Sequence, residues 1–221
     1  PGHTLCFTSI AGGYSIINVR LEQDRLGILT GSIPADGHPS GKALLDRFAA
    51  EHAWIGETLY GGARAIPLRR PYDRIAAGNV AALGDAACQV FSAHGSGIGI
   101  GLVAARMLAD ALADGRGPEG YGVAFHRRWG GLLATYDLFR RFSQSLSTAD
   151  VEAMLEAGLL DETAALAGLA ERMPSASPSF VAAKFASALR APRLSAKLGA
   201  TLARAAAMTA LYARYPADAR D

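Results

Sequence analysis

The stretch Ala82–Leu112, "ALGDAACQVFSAHGSGIGIGLVAARMLADAL", restricts what this chain can fold into more than any other. A short apolar segment, Asn79–Leu83, has the character of a buried strand and is followed at once by Asp85. An ionised carboxylate at a strand end needs hydrogen-bond donors, because burying it unpaired is costly. Gly95, Gly97, Gly99 and Gly101 then alternate into the start of a long apolar helix. Positions without side chains let a ligand approach the backbone closely. The helix start adds unpaired amides and a partial positive charge, which suit a pyrophosphate or an electron-rich ring edge. Strand, aspartate, loop, glycines and helix N-terminus together describe a cofactor cradle. Helix packing is the competing explanation: the glycines would let the helix press on a sheet, and Asp85 would be a turn residue.

The flanking chain sets the fold class. "HTLCFTSI", "YSIINVRL" and "RLGILTGSI" are β-rich, and the polar turn Glu22–Arg25 joins the last two as a hairpin. "PSGKALLDRFAAEHAWI" places Leu44, Leu45, Phe48 and His52 at helical spacing. "ETLYGGARAIPLR" has an extended pattern broken at Gly61–Gly62. From Gly97 onward the pattern is almost wholly helical. After Pro118, Phe125, Trp129, Leu132, Leu133, Tyr136 and Phe139 form one apolar stripe. Ser147 and Asp150 mark a helix start, and Pro174, Pro178 and Pro192 punctuate the remainder. Strands first and helices last predict an α+β fold. The expected organisation is a β-rich region over 1–78, the strand–loop–helix over 79–115, and a helical region over 116–221.

Composition excludes several classes. Half of the 221 residues are apolar and 19% are charged, so the chain is globular. A formal net charge of +2 gives no argument for nucleic acid. Cys6 and Cys88 offer neither a disulfide framework nor metal-ligand spacing, and no metal is expected. They fit a reducing, cytoplasmic setting. The N-terminus has no signal-peptide pattern, and the longest near-apolar run, Gly97–Ala105, is too short to span a bilayer.

The order of residues in "GDAACQVFSAHGSGI" is similar to the second flavin motif of the superfamily of aromatic hydroxylases and geranylgeranyl reductases, roughly G-D-A-A-x-x-x-x-P-x-x-G-x-G-I. Gly84, Asp85, Ala86, Ala87, Gly95, Gly97 and Ile98 fall in register. The resemblance implies that Asp85 binds ribityl hydroxyls of FAD. It places the backbone from Gly95 through Ser96, Gly97 and Ile98 to Gly99 against the flavin ring, with Gly84 and Ala86 completing the cofactor contacts. "IPLRRPYDRIAAGNVAALGDAA" resembles the proline-containing strand that precedes this motif in the reductase branch, and "GGYSIINVRLEQDRLGILTGSIP" its strand pair over the substrate pocket. The likeness runs from about Gly12 to Leu112.

There are two local departures. Ser92 stands where the family has proline, and "YSIINV" keeps only Tyr14 of an aromatic-rich signature, which weakens the case for an isoprenoid substrate. A third departure is larger: no G-x-G-x-x-G unit precedes Asp85 to hold the ADP half of FAD. The expectation is therefore the C-terminal part of a longer flavoenzyme, with the N-terminal Rossmann-like βαβ half as its missing partner.

The resemblance implies FAD as cofactor, NAD(P)H as electron donor and a small apolar substrate whose double bond is reduced; no catalytic residue is assigned. An FAD-dependent monooxygenase or tailoring oxidase uses the same cradle, and a non-catalytic helical module binding a membrane or partner remains the reading from a different class. His94 is either a hydrogen-bond donor near the flavin or an ordinary loop histidine. Cys88 is a redox partner or a buried thiol, and Arg69 and Arg70 bind an anion or solvate a strand end. Trp129, Tyr136 and Phe139 line a channel or fill the core. Between Arg172 and Asp218 there is no acidic residue, while Lys184, Arg190, Arg193, Lys197, Arg204 and Arg214 are basic, with Leu194, Leu198, Leu202 and Met208 along one face. Such a helix docks on the rest of the protein or lies peripherally on an anionic membrane.

Overall fold

A computed structural model describes residues 3–8, 10–11, 15–34, 37–171 and 178–217. Gly12, Tyr14, Arg172, Pro174 and Asp218 lie outside the described residues. The fold is α+β. The chain divides into two compact units, Pro1–Ala65 with Ser143–Glu152, and Ile66–Phe142 with Ala153–Asp221.

The first unit is built on three antiparallel strands in the order β1 (Thr4–Thr8), β2 (Ser15–Glu22) and β3 (Arg25–Ser32). Glu22 pairs with Arg25 across the hairpin, and Gln23 in the turn has φ 57°. Alternation decides which face is covered. Ser15, Ile17 and Val19 are buried while their neighbours Ile16 and Asn18 are less so, as a half-covered sheet requires. Helix α1 (Gly41–Glu51) lays Leu44 and Phe48 on that face, forming one cluster with Ile17 and Val19. Burial of each such side chain contributes roughly 1.5–3 kcal/mol. Ser40 caps α1 by accepting from the Ala43 amide. The Thr30 hydroxyl donates to the Gly41 carbonyl at 2.6 Å and ties the helix start to β3.

The segment with an extended pattern, "ETLYGGARAIPLR", contains no strand. Leu59 and Tyr60 are 64% and 80% exposed, so no neighbouring edge turns the β-prone residues into a ladder.

Besides α1, the first unit holds the start of the helix Thr148–Glu156; most of the helices belong to the second unit. Its only regular strands among the described residues are β4 (Ala76–Ala77) and β5 (Val80–Ala81), joined by a tight turn with Gly78 at φ 54°. The expected buried strand Asn79–Leu83 is thus reduced to two residues, and Val80 is 71% exposed. One further bond, from the Ala82 amide to the Ile75 carbonyl, extends the pairing past the two-residue strands.

Helices α2 (Ile98–Ala113), α3 (Gly117–Phe125) and α4 (Gly131–Gln144) follow, then α5 (Thr148–Glu156), α6 (Glu162–Leu169), α7 (Pro178–Arg190) and α8 (Pro192–Ala213). Pro178 and Pro192 each open a helix, where a missing amide hydrogen costs nothing. Ser147 and Asp150 form a reciprocal cap on α5. The aromatic stripe after Pro118 is divided by a π-helical segment, His126–Gly130, between α3 and α4. Phe125, Leu133 and Tyr136 lie in the core with Ile75, Phe91, Ile100 and Tyr121, and Trp129 and Leu132 pack against it. Within this stripe packing explains Tyr136, whose ring meets Phe91 edge-on at 4.9 Å.

The π turn places two successive glycines, Gly130 and Gly131, under α8. A Cβ built at Gly130 would overlap the Tyr212 ring, and one at Gly131 would come within 2.9 Å of the Thr209 Cα. A latch surrounds this close approach. Arg70 donates to the Tyr212 hydroxyl at 3.1 Å and pairs with Asp73. The Tyr215 hydroxyl donates to the Asp73 carbonyl, and Arg127 to the Tyr215 carbonyl. His126 lies between them, fully buried, its ring stacked on Tyr215 at 4.3 Å and 5.5 Å from the Tyr212 ring.

Candidate functional site

Residues 84–101 form one continuous loop-and-helix structure. Gly84, at φ 57°, opens a 3-10 turn, Gly84–Ala87, that ends at Cys88 in the same left-handed region, φ 54°. Such an angle is strained for cysteine, and local bonds hold it. The Cys88 amide donates to the Asp85 carbonyl at 3.0 Å and the Gln89 amide to the Gly84 carbonyl at 2.9 Å.

Gln89 is fully buried and braces the turn from below. Its side-chain oxygen accepts from the Gly84 amide at 2.8 Å, and its NH2 donates to the Tyr121 hydroxyl at 2.6 Å. The Tyr121 hydroxyl in turn donates to the Ala82 carbonyl at 3.3 Å. Burial pushes the Tyr121 phenol up, against a smaller opposing effect of Gln89. This brace joins the strand end, the turn and α3. Neither Gln89 nor Tyr121 stood out in the sequence; a glutamine inside an otherwise apolar run, "CQVF", was the available signal.

The next loop closes on itself. The Phe91 amide donates to the Ser96 carbonyl at 2.7 Å, and the Gly95 amide to the Phe91 carbonyl at 2.8 Å. Gly95 has φ 77°, and a Cβ there would meet the Ile66 Cδ1 at 2.8 Å, so the position requires glycine twice over. Ser92, which stands where the family motif has proline, is fully buried. The Ser96 hydroxyl donates to the Glu171 carboxylate at 2.6 Å, a second partner that the sequence did not reveal. His94 stacks on Phe91 and meets Tyr136 edge-on. Burial lowers its pKa, opposed by the Glu171 charge and a bond with the Gly168 backbone. Burial first, and then Glu171, push the Tyr136 phenol up to about 12. Cys88 is buried, and Cys6 is exposed.

Helix α2 starts at Gly97 with no side-chain cap. Asp85 is exposed, and its Oδ1 lies 3.7 Å from where a Cβ of Gly97 would stand. Its carboxylate has no hydrogen-bond partner among the described residues. Around Gly99 and Gly101 a Cβ would meet nothing within 4 Å. Ile98 and Leu102, one turn apart, are 85% and 69% exposed beside this opening. Ala86 is exposed and Gly84, Ser96 and Gly97 are half-buried. Of the sequence-named residues, Asp85 and Gly97 stand side by side, an unpartnered carboxylate next to an uncapped helix start; Gly95 packs on Ile66 and the Ser96 hydroxyl is taken by Glu171. An open hydroxyl-bearing ligand with an electron-rich edge matches both halves of that donor and acceptor set.

Arg69 and Arg70 do not join it. Arg69 lies over the Tyr72 ring at 4.6 Å, and Arg70 belongs to the latch. In the first unit, Thr4, Asn18, Arg20, Glu22, Gly27, Ile28 and Leu29 line a hollow of about 280 Å³. Among the described residues no group of three or more His, Cys, Asp or Glu is arranged to hold a metal ion.

No protein-family model matches the chain. A digeranylgeranylglycerophospholipid reductase from Sulfolobus acidocaldarius is 28% identical to it over 199 residues, covering 86% of this chain and 44% of the relative. The chain thus spans less than half the length of that relative. The likeness is distant, and it supports the reductase superfamily that the GDAA motif resembles.

Proposed function

We propose that the chain forms part of an FAD-dependent oxidoreductase, geranylgeranyl reductase-like, that reduces a double bond of an apolar substrate with NAD(P)H as electron donor. The observation that carries this reading is the placement of the Asp85 carboxylate beside the uncapped start of α2 at Gly97. The distant similarity to a digeranylgeranylglycerophospholipid reductase supports a reductase. Bound FAD would supply the hydride chemistry. Asp85 would accept hydrogen bonds from ribityl hydroxyls, and the α2 amides would favour negative charge at the flavin edge. Gly97 and Gly99 would let the ring approach the backbone, while Ile98 and Leu102 would exclude water from it. The residues holding the ADP half would lie outside this span, so the 221-residue chain alone binds FAD weakly.

Flavin content and FAD titration of the complete protein test this, beside Asp85→Ala. A lost bond to a charged group is worth roughly 1.5–3 kcal/mol, so affinity is expected to fall about ten- to a hundredfold with the fold intact. Normal flavin retention by this variant would reduce Asp85 to a turn residue and sink the reading.

A further inference from the structure

The bend between α7 and α8 has no part in the site described above. Pro192 at the start of α8 enforces the bend, and the Ser195 hydroxyl donates to the Ala188 carbonyl across it at 3.3 Å. Two large apolar side chains stand in solvent just before it: Phe185, 69% exposed, and Leu189, 71% exposed. They are four residues apart on α7 and so share one ridge. Three exposed cations, Arg190, Arg193 and Lys197, follow within two turns. No acidic residue occurs anywhere in residues 178–217. The core-facing side of α8 is otherwise satisfied, since Leu194, Thr201, Ala205 and Tyr212 are buried at helical spacing.

From this we propose that the α7–α8 elbow docks the protein on an anionic lipid bilayer. Phe185 and Leu189 enter the boundary between headgroups and acyl chains, and Arg190, Arg193 and Lys197 contact lipid phosphates. Charge fixes the sign of the partner: five of the six cations in residues 178–217 are exposed, and the segment itself carries no acidic residue. The adjoining apolar pair selects a bilayer over a purely charged polymer, which offers aromatic and aliphatic side chains no dry volume. No described helix is long and apolar enough to cross a membrane, so the contact lies on the surface. The proposal stands independently of any flavin.

Vesicle co-sedimentation tests it, using phosphatidylcholine vesicles with and without about one-third phosphatidylglycerol. Each cation near an anionic leaflet strengthens partitioning by roughly fivefold at moderate salt. Arg190→Gln/Arg193→Gln/Lys197→Gln is therefore expected to weaken binding to the anionic vesicles on the order of a hundredfold. Phe185→Ala/Leu189→Ala is expected to weaken it comparably while leaving flavin content unchanged. All five positions are exposed, so circular dichroism of both variants should match the parent. Binding by the parent should also fall steeply with added salt, a readout that needs no variant. Equal binding to neutral vesicles, or insensitivity to salt, would overturn the proposal. So would lipid-independent self-association lost in Phe185→Ala/Leu189→Ala, which would make a second copy the occupant of the elbow.

Discussion

His126 should make the helical unit lose stability in mildly acidic solution. The ring is fully buried, and neither nitrogen has a hydrogen-bond partner among the described residues. Burial lowers its pKa from 6.5 to about 4; the Asp73 charge opposes this and Arg70 reinforces it. The neutral ring of the fold therefore binds fewer protons than the same ring in the unfolded chain. Between the two pKa values the unfolded state gains protons that the folded state refuses, so stability falls as pH falls through that window. From about pH 7.5 to about pH 5 the loss works out at about 2 kcal/mol. Asp73 does not confuse the result: the hydrogen bond from Arg70 holds its carboxyl below 3.8, so it titrates beneath the window. Urea unfolding of the parent and of His126→Phe, followed by circular dichroism across that range, measures the effect. The phenylalanine keeps the ring stack on Tyr215 and removes two buried polar atoms, so it should match or exceed the parent near neutrality. Its pH dependence should be flatter by about 2 kcal/mol. If parent and variant lose stability in parallel, the histidine is hydrated or already charged, and the reasoning is wrong.

Gly130→Ala should destabilise the second unit strongly, by about 2–4 kcal/mol, because its methyl would overlap the Tyr212 ring; a thermal melt that leaves the midpoint unchanged would refute so close a contact. Asp137→Ala should destabilise the unit by about 2 kcal/mol or more, since it removes the carboxylate that accepts from the buried Arg140 guanidinium at 2.7 Å. Arg141→Ala should cost under about 1 kcal/mol, its side chain being 64% exposed. Denaturant titration of the two variants compares them directly. Gly97→Val should lose flavin from the complete protein more severely than Asp85→Ala; a variant that melts early yet still carries flavin when folded would make Gly97 a packing residue.

The α+β class was legible because hydrophobic period changes along the chain. "YSIINVRL" alternates and becomes β2, while "GKALLDRFAAE" repeats at helical spacing and becomes α1. The extended reading of residues 57–69 went wrong because β-propensity there has no partner strand. Asp85 and the glycines were visible as a motif, and their adjacency is consistent with its spacing. Gln89 and Glu171 were not visible. Gln89 acts on Tyr121, 32 residues away, and Glu171 on Ser96, 75 residues away; a hydrogen bond of that range leaves no periodic trace. The π segment was equally hidden, because the apolar stripe through Phe125, Trp129 and Leu133 runs on at helical spacing.

The latch has a consequence for how the molecule is made. Arg70 and Tyr212 are 142 residues apart, as are Asp73 and Tyr215. On a ribosome the Arg70–Asp73 loop and the two glycines emerge long before the helix that covers them. During that interval Gly130 and Gly131 leave a bare notch beside His126, with chain-closure entropy opposing any early return. Substitutions in α8 at the notch should therefore accelerate unfolding more than they slow the initial collapse.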